Sequence, residues 1–328
     1  MKPRQLFVSR LSLPFAMAIA ALLATPSANA AAYNWTGATS GTWNTTTNWS
    51  GSVVPLTGDT LTILGPANVA GALIINFNAD NPASTINFTN TAATTLSNTS
   101  SGANKTLTLS SSGTAITTAA TGLVTIGSAT ANQAVNVALG ASQTWNVGAG
   151  GLTVNNVISG VGFGITKSGT GTLTLGSATN SFNGGIIVTA GNLTSAANGS
   201  LANNSITFSN NAIFTTSTTE ATSGVITLNN SGFVRLVNNN SSFTVSGKVT
   251  GAGGLEIEKG GSGSITVSLN ATTNDFTGGV SFIHRQQNQS ATVNVNSLVD
   301  TTVSGTGNII LGATGGAVTG VSVSHNFN

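Results

Sequence analysis

Hydrolysis or elimination on a polysaccharide needs clustered carboxylates, used as an acid/base pair or as a Ca²⁺ cradle against an acidic sugar. In this 328-residue chain the one close pair is Glu256 and Glu258, which share one face of an extended strand with Lys259 beside them. Asp275, within Asn274-Asp275-Phe276, is a candidate acid, and His284-Arg285 a candidate anion contact. Each has a simpler structural assignment: a charged strand edge that discourages pairing, a turn residue and an exposed loop. Trp35, Trp43 and Trp49 form the densest aromatic cluster. Such rings either stack on sugar faces as a glycan-binding platform or cover the open end of a repetitive core.

Other chemistries are poorly provided for. Cysteine is absent, and no Gly-x-Ser-x-Gly elbow occurs. Gly160-x-Gly162 and Gly169-x-Gly171 are followed by Ile165 and Thr174 where a dinucleotide fingerprint needs a third glycine. The two histidines, His284 and His325, are not at ligand spacing. The expectation is therefore no catalytic set, no cofactor and no metal.

Residues 1–30 predict an export signal. Lys2, Arg4 and Arg10 precede a short apolar run from Leu11 to Ala24, and Ala28-Asn29-Ala30 supplies a small-x-small cleavage pattern, so the mature chain begins at Ala31. The apolar run falls short of the about 20 residues a membrane span needs, and no later stretch replaces it. Of nine basic residues, three lie in the leader; the six that remain face seven acids, a net charge of −1. Without a basic patch, nucleic acid is not an expected partner. Charged residues are only 5% of the chain, against about 25% in ordinary soluble domains. Ser, Thr, Asn and Gly must supply the wet surface, while regularly spaced Val, Ile, Leu and Phe supply a core.

The elements that position these residues are short strands. Runs such as Leu61-Thr62-Ile63-Leu64, Thr106-Leu107-Thr108-Leu109, Thr144-Trp145-Asn146-Val147 and Val225-Ile226-Thr227-Leu228 alternate with a period of two. No window of the mature chain sustains a helical apolar period. Turns rich in Asn, Gly, Ser and Thr, without mirrored hairpin signals, favour a parallel β-helix over a sandwich or barrel. Coils of about 20 residues would stack into on the order of a dozen turns, with inward aliphatic columns and Asn or Thr ladders at the turns.

The chain also repeats on a larger scale. Ile158-Ser159-Gly160, Lys167-Ser168-Gly169-Thr170-Gly171-Thr172-Leu173-Thr174-Leu175, Asn180-Ser181-Phe182-Asn183-Gly184-Gly185 and Gly191-Asn192-Leu193 return as Val249-Thr250-Gly251, Lys259, Gly263-Ser264-Ile265-Thr266-Val267 and Asn274-Asp275-Phe276-Thr277-Gly278-Gly279. Ser304-Gly305-Thr306-Gly307-Asn308-Ile309-Ile310-Leu311-Gly312 is a third, partial copy, and the second copy departs at Ile283-His284-Arg285, which predicts an irregular coil there. These motifs resemble the autotransporter-associated β-strand repeat, a passenger repeat of Gram-negative secreted proteins. Trp35-x-Gly37, Trp43, Asn48-Trp49-Ser50-Gly51 and Gly58-Asp59-Thr60-Leu61 resemble the Trp-rich segment that opens such proteins.

The resemblance implies an all-β, right-handed parallel β-helix (β-solenoid) with an N-terminal Trp-rich cap. It divides the chain into a signal peptide at 1–30, a cap region at 31–64 and a passenger at 65–328 with repeats near 158–193, 249–280 and 304–312. It implies a location on or beyond the outer membrane, with extracellular glycans or proteins as partners; it does not imply an enzyme, and none is expected. The chain stops without the alternating strands of a membrane barrel, which leaves a fragment or a barrel-less relative as expectations. Function is then adhesion, matrix or display. The alternatives are a β-helix polysaccharide lyase or hydrolase and a Trp-based glycan-binding module.

Overall fold

The structure is a computed structural model. It describes residues 30–37, 41–64, 72–99, 103–119, 121–128, 130, 133–209, 212–229, 233–238, 241–259 and 265–284, with the strands Ala291–Val295, Ile309–Ala313 and Val321–His325. The leader expected from the sequence, up to residue 29, residues 262–264, Arg285 and residues 304–308 of the third repeat copy lie outside the described residues.

The strands form parallel sheets of ten, four, eleven and five members. One coil shows the construction. Thr114–Thr118 lies on a first face, Val124–Ile126 on a second and Val135–Leu139 on a third, after which Gln143–Asn146 returns alongside Thr114–Thr118. The ten- and eleven-stranded sheets are the first and second faces; the four- and five-stranded sheets share the third. The architecture is the parallel β-helix expected from the period-two runs and the unmirrored turns. Among the described residues the second face carries eleven strands, and the early coils are longer than the about 20 residues expected. Val124 pairs with Leu152 and Thr94 with Val124, whereas later Ile186 pairs with Ile206 and Ile206 with Ile226.

Alternation puts one side of each strand inside. On the second face Leu152, Leu173, Leu193, Phe214, Leu236 and Ile257 stack in register and are all buried. Burial of each such side chain stabilises by about 1.5–3 kcal/mol, and stacking lets neighbouring coils share one continuous core. The adjacent column changes character. Leu96, Ile126, Val154 and Leu175 are followed by Ser195, Thr216 and Asn238, all inward and inaccessible to water.

Asparagines join the coils at the turns. Asn180 Oδ1 accepts from the backbone N–H of Ile158 at 2.8 Å, and Asn274 Oδ1 accepts from that of Val249 at the same distance. Both Ile158 and Val249 open a copy of the repeat, and both asparagines precede a buried phenylalanine, Phe182 or Phe276. The repeat is thus a physical unit. Yet its copies occupy different faces. Ile165–Ser168 and Thr172–Leu175 turn the corner from first face to second, whereas Gly254–Lys259 and Ile265–Leu269 turn from second to third. The unit encodes a strand, a corner and a strand, and two of the three corners carry it. The departure at Ile283-His284 does not interrupt the backbone. Val280–His284 is a strand paired with Gly254–Lys259 and with Ile309–Ala313, because ladder pairing uses backbone groups that are indifferent to the repeat's side chains.

The corner itself explains the Lys-x-Gly-x-Gly spacing. Lys167 is wholly buried, and its ammonium donates to the carbonyls of Gly169 at 2.6 Å, Ala190 at 2.7 Å and Ser168 at 3.3 Å. Gly169 has φ of 77°, a left-handed conformation that favours glycine. A Cβ on Gly171 would fall on the carbonyl of Gly148, so close stacking of the coils excludes a larger residue there.

The amino end closes the coil below. Ala32–Trp35 pairs with Thr60–Ile63 on the first face, Thr42 bridges to Asn76 on the second, and Asn44 Nδ2 donates to Asn81 Oδ1 on the third. Trp35, Trp43 and Trp49 fill the space between, with Trp43 4.8 Å from Trp49 and 4.6 Å from Phe77 by ring centroids. Trp49 Nε1 donates to the Trp43 carbonyl at 2.7 Å.

Candidate interaction surface

Outward positions of the same strands carry threonine with unusual regularity. On the second face Thr95, Thr125, Thr153, Thr174, Thr194 and Thr215 are register partners in six successive strands, and all but the buried Thr194 are partly open to water. On the first face Thr60 pairs with Thr85, whose hydroxyl donates to the carbonyl of Thr114 across a bulged step. Thr114 then pairs with Thr144 and Thr144 with Thr166. Ile187 interrupts, and Thr207, Thr227 and Thr250 continue the column. Beside it Thr62, Asn87, Thr117, Asn146 and Ser168 form a second polar column.

Threonine suits this position because its branched Cβ favours the extended backbone, and its methyl packs on a pleated surface while its hydroxyl meets water. Adjacent strands lie about 4.8 Å apart, so each column is an evenly spaced row of hydroxyl and methyl groups. No charged side chain points outward from the strands of the first face, and none lies on the second until Arg235. The sequence predicted threonine ladders at turns; the structure puts them on strand faces. Register, which sequence alone does not supply, converts scattered Thr residues into rows.

The candidate catalytic residues stand elsewhere. Glu256 and Glu258 share the outward side of Gly254–Lys259, as their spacing predicted. That strand is not an edge, since it is paired on both sides. The edge-protection assignment is thereby corrected: Arg235, in register with Glu256, reaches both carboxylates, at 2.6 Å and 3.4 Å. Asp275 is exposed in a turn and paired with Lys248 at 2.6 Å. The hydrogen bond from that lysine holds its carboxyl below the usual range. His284 lies in the strand Val280–His284, and His325 in Val321–His325. Among the described residues no group of His, Cys, Asp or Glu has the arrangement of a metal site. No helix of the described residues is long and apolar enough to cross a membrane.

The three tryptophans of the possible glycan platform are buried, none more than 2% exposed, so they present no ring face to a sugar. They occupy the end of the core because their own segment folds across it.

One ionisable group was not singled out by its sequence context. Glu220 is fully buried, and its carboxyl accepts from Ser195, Ser200 and the N–H of Gly199. Only the inward turn of the strand Glu220–Thr222 identifies it. Burial raises its pKa, with the hydrogen bonds opposing. Its folded value therefore lies above the unfolded one, so its stabilising contribution is complete below the ordinary glutamate range. That contribution is lost as pH rises through the raised value. Denaturant midpoints measured across that range should fall with pH in the native chain, and the fall should vanish in Glu220→Gln, whose amide does not titrate. No protein-family model, curated protein or solved structure matches the chain.

Proposed function

We propose that this chain is an exported, non-catalytic β-helical surface or passenger protein of autotransporter type, serving adhesion, matrix or display. The observation that carries the reading is the set of uncharged threonine columns on the first and second faces. A row of identical weak hydrogen-bonding and methyl contacts binds little at any one site, but many engaged at once give avidity without a pocket. The leader-like segment 1–30 and the passenger-type repeats support export by the same route. Its partners are extracellular glycans or proteins whose own surfaces repeat.

The test is retention of the chain on polysaccharide-coated and protein-coated surfaces. Thr144→Lys, Thr153→Lys and Thr207→Lys are combined because no two of them stack on neighbouring strands, where like charges would destabilise the fold. Retention should drop by about tenfold or more while the melting curve stays close to that of the native chain. Unchanged retention would sink the reading. Turnover of a polysaccharide that disappears in Glu256→Gln would move the protein to the enzymatic class.

A further inference from the structure

We infer that Asp59 is the counter-ion for the α-amino group freed when the leader is cut after Ala30, so that processing itself completes the first coil. The inference rests on the export reading proposed above.

Asp59 is 7% exposed. Its Oδ2 accepts from the backbone N–H of Leu56 at 2.7 Å, and its Oδ1 from that of Ala31 at 3.0 Å. Its own carbonyl accepts from Ser84 at 2.8 Å, which ties the carboxylate to the next coil. The ion pairs of the described residues use Arg235 and Lys248, and none reaches Asp59. A buried carboxylate without a cation is costly. The atom already against it is the nitrogen that cleavage would convert into a cation.

The chemistry balances simply. Water adds across the Ala30–Ala31 amide; its oxygen joins the Ala30 carbonyl carbon, and the Ala31 nitrogen, released as an amine, is protonated at neutral pH. The Ala31 carbonyl accepts from Thr60 N–H at 2.8 Å, so the residue is held at both of its backbone groups, while Ala30 is exposed. Position matters to a single bond. A cut before Ala30 leaves a neutral amide facing Asp59, and a cut after Ala31 removes both contacts. A charge-assisted hydrogen bond is roughly twice as strong as a neutral one.

Four chains test this by denaturant unfolding: residues 31–328 and 30–328, each with Asp59 or with Asp59→Asn. With Asp59, the extra Ala30 should raise the unfolding equilibrium constant about fivefold; with Asn at 59 it should change little. No effect of the extension with Asp59, or the same effect in both backgrounds, overturns the inference. If Asp59→Asn does not fold, acylation of the terminal amine by an N-hydroxysuccinimide ester decides. The amine of 31–328 should react more slowly than that of 30–328, and equal rates overturn the pairing. The terminal residue of the exported product is a separate readout. A product that keeps its leader defeats the export reading alone, whereas one beginning at Ala32 defeats the pairing.

Discussion

Trp43→Ala lowers the stability of the amino end by about 3–5 kcal/mol, the range for removing a fully buried large aromatic. Trp43 has no exposed surface, and its ring is packed between Trp49 and Phe77. The backbone N–H of Trp43 donates to the Asn76 carbonyl at 2.9 Å, and that of Asn76 to the Gly41 carbonyl at 2.6 Å, so this segment covers the first edge of the second face. Loss of the ring opens a cavity and frees that edge for pairing with another chain. Contacts in a solenoid pass only between neighbours, so the damage is graded along the rod. Hydrogen exchange should accelerate strongly in Ala32–Trp35 and Thr60–Ile63 and weakly in Ile186–Val188. Val161→Ala, at an 81% exposed site, should stay within about 0.5 kcal/mol of the native chain. Uniform acceleration along the rod would mean that the tryptophans are not a local cap.

Lys167→Met should cost about 2 kcal/mol through lost acceptor partners. The carbonyl of Ser168 also accepts from Val147 N–H, so the main loss falls on Gly169 and Ala190, which hold the corner. The native chain should show a second signature. Burial pulls the Lys167 pKa down from its ordinary 10.5 to about 8. Between those values the unfolded chain binds more protons than the folded one, so stability rises with pH across that window. In Lys167→Met the rise is absent. Urea midpoints at the two ends of the window measure it, and a native chain with no rise would mean that its three carbonyl contacts cancel the cost of burial.

Lys167 and Glu220 mark where sequence reading stops. Lys167 was visible as part of a repeated phrase, yet nothing in the phrase distinguishes an exposed lysine from one bonded inside a corner. Its partner Ala190 belongs to the next coil. Glu220 stood among polar residues with no motif at all. Ser195 and Ser200, which hold it, are ordinary residues of a serine-rich chain until the coils stack. The tryptophans show the same limit from the other side. Their spacing is compatible with a platform and with a cap, and only the fold of residues 41–52 across the first coil decides between them.

The sequence by itself determined that this chain is all β, that its strands are short and that they are parallel. Those properties follow from local causes: a period of two in the apolar residues, glycine and asparagine at turns, and the absence of a helical period or a hairpin signal. It also determined the repeating unit, whose glycines serve the corner at Lys167–Thr172, where Gly169 is left-handed and Gly171 packs against the neighbouring coil. Only the tertiary structure decided which face each copy occupies, which threonines line up into columns, and which charges are buried or paired. Those are properties of register between coils that are separated by some twenty to thirty residues. A turn that is longer by one residue changes which side chains meet without changing any local preference, so no local pattern records the alignment.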